Sequence, residues 1–198
     1  MPLHSSGLQN GAILWEVVIE AISGDRYYRY NRLDMEKGFE KIYGITERHD
    51  EVVRRGREWY LYFGQGKDSQ GDYVLRKVYD HKPSGDELRA DIVELVNKNV
   101  DEKILSGYVW KDMPVWLSSE NQFNYKSVYD LALHDSSVLP VKFKMGEDAD
   151  GNVVYHTFET VDVLSDFYLG AIKYINNCIN EGWTEKDGID TDKLLEGA

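Results

Sequence analysis

Two short apolar triplets, Tyr108-Val109-Trp110 and Val115-Trp116-Leu117, enclose Lys111-Asp112-Met113-Pro114 and run without a break into Ser118-Ser119-Glu120-Asn121-Gln122. Few structures suit that order of residues. The triplets are too short for anything but a tight β-hairpin, with Pro114 at its edge. The pattern from Ser119 to Gln122 is a capping box, which satisfies the first orphan amides of a helix and starts one through Phe123, Val128, Leu131 and Ala132.

Helical patterns lie on both sides of this stretch. Upstream, Ser84-Gly85-Asp86-Glu87 is a second capping box, and Leu88, Ile92, Leu95, Val96, Val100 and Ile104 follow a helical period up to Gly107. Downstream, residues 139–145 and 153–158 alternate as two strands about a turn at Gly146 to Asn152. A last helix then begins near Thr160 and carries Leu164, Phe167, Tyr168, Ala171, Ile172, Ile175, Cys178 and Ile179 on one broad face before Gly182. Glycine there predicts the helix end, leaving a tail from Thr184 that is acidic and weakly helical. The second half reads α-β-β-α-β-β-α, three helices packed on small antiparallel sheets.

The front half is β-rich. Residues 12–22 are dense in β-branched side chains and read as a strand, Ser23-Gly24-Asp25 as a turn, and Arg26 to Tyr30 as the returning strand. Residues 31–56 show no clean period and read as a long connection with a short helix around Met35 to Ile42. Glu58 to Phe63 and Tyr73 to Tyr79 form a hairpin about a glycine-containing loop from Gly64 to Asp72, and the first of these strands is aromatic on both faces. Such a strand needs cover on both sides, from its own domain or from a partner. The fold class expected is α+β, divided as a leader (1–12), a β-rich docking region (13–82), an α+β module (83–183) and an acidic tail (184–198). His81-Lys82-Pro83 marks the boundary, because proline disfavours helix just before it.

The chain of 198 residues carries a formal charge of -12, which argues against nucleic acid or an anionic membrane as partner. Charge is uneven. Residues 25–57 hold nine Lys/Arg against seven acids, a local +2 that leaves -14 on the remainder, and such a dipole suits head-to-tail docking as well as an ordinary mixed surface does. Fourteen Tyr and five Trp against six Phe favour aromatics with a polar handle, which suit half-buried sheets and interfaces. The candidate partner interface is therefore Trp15, Tyr27, Tyr28, Arg29, Tyr30, Trp59, Tyr60 and Tyr62. A polar leader takes order only when something holds it, and a neighbour in an assembly would serve. The N-terminus lacks a basic and then apolar signal segment, and no run is long enough to span a membrane.

Residues that carry chemistry do not converge in the sequence. His4, His49, His81, His134 and His156 fall in five separate elements with no ligand spacing, so no metal site is expected. Asp148-Ala149-Asp150-Gly151-Asn152 has the look of a calcium loop but lacks the closing bidentate acid at its offset, and a hairpin turn accounts for it. Gly64-Gln65-Gly66 precedes no helix and no Gly-Lys-Ser/Thr, so it is not a phosphate loop. Ser84, Ser118 and Ser119 read as helix caps rather than nucleophiles, and Cys178 reads as a buried small hydrophobe. No catalytic residue and no cofactor is expected. Trp110 and Trp116 stand at matching places on two strands. They read either as a cross-strand pair or, with Tyr125, as a glycan or peptide platform.

Residues 90–97, 104–110 and 114–126, with Leu139-Pro140-Val141-Lys142-Phe143 and Tyr155-His156-Thr157-Phe158, resemble a family of uncharacterised proteins of phages and prophages of gut Bacteroidales. The resemblance covers roughly residues 84–190. Such proteins are similar in layout to tail-fibre-associated or tail-fibre-assembly proteins. The resemblance carries no catalytic residues. It implies a non-enzymatic structural protein of the tail, baseplate or tail-fibre attachment region of a virion, made in the host cytoplasm, present in several copies and bound to other tail or fibre proteins. A tail-fibre assembly chaperone and a carbohydrate-binding receptor module are the alternatives.

Overall fold

The computed structural model describes residues 15–22, 25–32, 38–44, 50–196 and 198, the first two stretches by backbone alone. The fold is α+β, as expected. β1 (Trp15–Ile22) and β2 (Asp25–Arg32) form the first antiparallel hairpin, in register from Trp15 opposite Arg32 to Ile22 opposite Asp25. The leader lies outside the described residues.

A four-stranded antiparallel sheet follows: β3 (Glu40–Tyr43), β4 (Glu51–Arg55), β5 (Glu58–Asp68) and β6 (Gly71–Tyr79), in the order β3-β6-β5-β4. Two expectations are corrected here. Glu40 to Ile42 is strand rather than helix, because its partners lie far along the chain: Arg76 Nη2 reaches Glu40 Oε1 at 2.6 Å and Ile42 stands opposite Val74. Gly64 to Asp72 is not a loop either. β5 and β6 continue past a bulge at Gly64 to a turn at Ser69-Gln70, where Asp68 Oδ1 accepts the Gln70 amide at 2.9 Å.

α1 (Gly85–Ser106) begins at the predicted capping box, Ser84 Oγ accepting from the Glu87 amide while Glu87 Oε2 accepts from the Ser84 amide. Its Leu88, Ile92 and Val96 pack on Val52, Leu61 and Tyr79 of the sheet. Pro83 therefore does not separate two cores. A part-buried polar clamp fixes the helix to the sheet: Asp91 accepts from Lys77 Nζ at 2.5 Å and from the Tyr79 hydroxyl at 2.6 Å. Burial and this bond push the Tyr79 hydroxyl pKa far up.

The second core belongs to the C-terminal elements: β7 (Tyr108–Trp110), β8 (Met113–Val115), α2 (Ser119–His134), β9 (Val141–Glu147), β10 (Val153–Phe158) and α3 (Val161–Asp187). The β7–β8 turn is Lys111-Asp112, both at positive φ, as a two-residue hairpin requires. The α2 cap is Ser118, one residue before the expected Ser119, and Gln122 Nε2 donates to the Leu117 carbonyl rather than closing a box. Tyr125, Phe143, Met145, Phe158, Leu164 and Phe167 fill the space between the hairpins and the two helices.

Gly182 does not end the last helix. It lies where α3 crosses α1, and a Cβ there would stand 2.5 Å from a Val100 methyl. The absent side chain permits the close approach, and the helix runs on to Asp187. The tail is not loose. α4 (Thr191–Leu195), capped by Asp190, returns Ile189 and Leu194 to the core beneath the four-stranded sheet. Among the described residues no helix is long and apolar enough to cross a membrane.

Candidate functional site

Alternation along short strands divides the C-terminal hairpins into a buried and an exposed face. Tyr108, Trp110, Val115, Phe143, Met145 and Phe158 point to the helices. Their neighbours point to solvent. The two hairpins meet edge to edge, with the Trp116 amide donating to the Met145 carbonyl at 2.8 Å. That contact depends on Gly146, where a Cβ would stand 2.7 Å from the Pro114 carbonyl oxygen. Val109, Trp116, Lys144, Lys142 and Tyr155 are thereby brought onto one outer face.

Three apolar side chains of this face are open to water: Val109 at 58%, Tyr155 at 54% and Trp116 at 38%. Each exposed ring carries a lysine. Lys142 Nζ lies 4.5 Å from the Tyr155 centroid and Lys144 Nζ 5.3 Å from that of Trp116. These contacts hold the long lysine stems against the rings and place two positive charges amid apolar surface, on a chain that is otherwise strongly acidic. Among the described residues β10 is hydrogen-bonded along one side only, to β9, so the face ends in an open strand edge.

The platform of Trp110, Trp116 and Tyr125 is corrected by this alternation. Trp110 faces inward, opposite Met113 rather than Trp116, with Nε1 donating to Asp166 Oδ2 at 2.9 Å. Its ring packs on His156, Phe158 and Phe167. Tyr125 is buried, its hydroxyl donating to the Lys144 carbonyl at 3.2 Å and its pKa pushed up to about 12 by burial. Trp110 and Tyr125 are core aromatics whose polar handles are satisfied internally, and Trp116 alone of the three reaches the surface.

The aromatic strand β5 is likewise largely covered. Trp59 packs against the α1 side of the sheet, with Arg54 and Lys82 over its ring, and Tyr62 is buried. Tyr60 is half-buried, stacked on Tyr62 with Arg76 over its ring. The side chains of Trp15, Tyr27, Tyr28, Arg29 and Tyr30 lie outside the described residues.

No three His, Cys, Asp or Glu side chains converge among the described residues in a way that would hold a metal ion. The Asp148 carboxylate is spent on its own turn, accepting from the Asp150 amide at 3.0 Å and the Asn152 amide at 2.8 Å. The Asn152 amide chiefly holds its pKa below the usual carboxylate range. The enclosed space at the α2–α3 contact, bounded by Leu117, Gln122, Tyr168 and Ile172, is too small for a ligand.

Sequence reasoning found Trp116 and missed its companions. Lys142, Lys144 and Tyr155 were visible only as the polar phase of two strands. Nothing local says that those strands lie beside Trp116. No family model, no curated protein and no solved structure matches the chain.

Proposed function

We propose that this chain is a non-enzymatic structural protein that works by docking other proteins, with the outer face of β7–β10 as its principal contact. On the resemblance of its second half, its setting is the tail, baseplate or tail-fibre attachment region of a phage virion. The observation that carries the docking reading is the lysine-clamped aromatic face. Exposed Trp and Tyr rings supply large contact area at small entropic cost, as interface anchors do. The two ammonium groups among them favour a partner surface that brings carboxylates to meet them.

The same geometry favours protein over sugar. A glycan stacks on the open face of an aromatic ring, whereas here Lys142 and Lys144 stand over Tyr155 and Trp116. Two lysines on a chain of charge -12 are also too few for a nucleic-acid surface.

The test is co-purification of the full chain with tail and fibre proteins of a phage that encodes it, comparing wild type with Trp116→Ala/Tyr155→Ala. Both rings are exposed, so the double variant keeps its fold, and loss of two interface anchors weakens association by about 30-fold or more. Unchanged association in the folded double variant would refute the assignment of this face. Binding to a free fibre protein with absence from finished particles would identify an assembly chaperone instead.

A further inference from the structure

The outer face of β7–β10 ends in a strand edge whose chemistry narrows what can sit against it. Among the described residues β10 is hydrogen-bonded to β9 alone, so the amides and carbonyls along its other side are open at alternate residues. The other edges of the four-stranded sheet and of the C-terminal hairpins are guarded. β3 is four residues with Glu40 and Lys41, β4 is five with Glu51, Arg54 and Arg55, and β7 is only three. Short length and charge both keep an edge from pairing with another chain. β10 has neither: it is six residues, Val153-Val154-Tyr155-His156-Thr157-Phe158, without proline, Lys, Arg, Asp or Glu. A bulge would also protect it, but the extra residue of this hairpin, Met145, is on β9, since Val154 stands opposite Gly146 and Tyr155 opposite Lys144. β10 is left regular and open, with Val153 40% and Tyr155 54% exposed.

We propose that this edge is a strand-addition site, and that its occupant is an extended segment of a partner protein with a carboxylate at its centre. Only an extended backbone brings donors and acceptors at the repeat of a strand edge, so a partner helix does not satisfy it. Charge then selects the segment. An added strand lies about 4.8 Å beyond β10, with every second side chain on the outer face beside Val153, Tyr155 and Thr157. Lys142 stands opposite Thr157 but leans diagonally onto β10, its Nζ 4.5 Å from the Tyr155 centroid. Its ammonium is carried toward the added strand, where an acid beside Tyr155 meets it. Lys144 leans the other way, over Trp116, and Glu147 and Glu159 stand at the two ends of β10. One central carboxylate therefore fits better than an acidic run. β10 of a second copy fits worse, because it has no acid to offer and brings Lys142 toward Lys142.

The site rests on the reading of this face as a docking surface, and it states how the partner chain is held there. NMR titration of the isotope-labelled full chain with the capped peptide Thr-Val-Thr-Glu-Thr-Val-Thr, at low salt and up to millimolar concentration, tests it. The expected result is saturable shifts and slowed exchange at the amides of residues 153–158. The same peptide N-methylated throughout loses binding, since its side chains are kept and its backbone donors are gone. Replacing its Glu by Lys weakens binding about threefold or more, and Lys142→Glu, a change at an exposed side chain, reverses that preference.

β10 amides that stay unmoved up to millimolar peptide would overturn the proposal. So would shifts that persist with the N-methylated peptide, or a preference for Glu that Lys142→Glu leaves unchanged. Sedimentation velocity showing that the chain alone dimerises, with those amides already protected, would give the edge to a second copy and overturn it equally. Failure of the docking reading looks different. Co-purification indifferent to Trp116→Ala/Tyr155→Ala, with the peptide still pairing on β10, would remove that reading and leave the edge standing. Co-purification lost in the double variant, with β10 unmoved by peptide, would keep the face and strike the edge.

Discussion

Replacing Leu194 by alanine tests whether the C-terminal turn belongs to the core. Leu194 is 5% exposed and sits with Ile189 against Val52, Leu61, Tyr79, Leu88 and Ile92, four of which are fully buried. Truncation at Cβ removes three carbons from a dry site, and buried Leu→Ala changes cost about 2–5 kcal/mol in rigid surroundings. α4 is a short helix near the chain end and can settle partly into the space, so the lower end applies, about 2 kcal/mol. For a chain of this length that is a fall in Tm of about 4–8 °C. Equilibrium urea unfolding is the assay: the midpoint falls while the slope m stays fixed, since the surface exposed on unfolding hardly changes. Removing residues 190–198 altogether costs more, because it strips Leu195 as well and opens Val52 and Leu61 to water. A Leu194→Ala protein within about 0.5 kcal/mol of wild type would place Leu194 outside the core, because exposed residues behave that way.

Three further outcomes follow from the geometry. Gly146→Ala sets a Cβ against the Pro114 carbonyl and forces β8 from β9; it costs about 1–3 kcal/mol and raises hydrogen exchange at the Trp116 amide, which no local change confined to β9 would do. Asp91→Ala leaves the Lys77 ammonium, 11% exposed, without its carboxylate and the Tyr79 hydroxyl without its acceptor, a loss of about 2–4 kcal/mol by urea unfolding that Lys77→Met in the same chain partly restores. His81 is bonded to Asp80 at 2.7 Å and Glu87 at 3.0 Å, and those two bonds raise its pKa above 6.5, while Glu87 is drawn down to about 2 by the Ser84 amide and His81. The histidine contribution is full below pH 6.5 and lost as pH rises through its folded value; the Glu87 contribution is full above pH 4.5 and lost as pH falls toward 2. The start of α1 is therefore held best between those limits. An NMR titration of His81 gives a midpoint above 6.5 that Glu87→Gln lowers, and a midpoint at or below 6.5 would contradict the pairing.

What was legible in the sequence was local. Ser84 with Glu87, Thr160 and the short hairpin after Gly107 each specify their own conformation within a few residues, and the structure has them, although the second strand of that hairpin is Met113–Val115 rather than 115–117. What was not legible depended on residues far apart. Glu40 to Ile42 is strand because Arg76 and Val74 lie alongside. Gly182 reads as a stop until α1 is seen to need the gap, and Ile189 and Leu194 read as a tail until their place beside Val52 is known. The candidate face follows the same rule. Trp116 announces itself by type, but Trp110 and Tyr125 are aromatics with a polar handle too and point the opposite way. The difference is one residue of strand parity for Trp110 and the inward face of α2 for Tyr125. Tyr155, Lys142 and Lys144 join Trp116 only because Gly146 lets two hairpins touch.

A docked, non-catalytic part of a particle stays with it through purification. Quantitative mass spectrometry of gradient-purified virions of a phage that encodes it is the most direct measurement, taking the ratio of this chain to the major tail proteins across independent preparations. The expected result is a fixed ratio that survives further purification and is lost with Trp116→Ala/Tyr155→Ala. Absence of the wild-type chain from particles, or a ratio that drifts downward with each gradient, would contradict it.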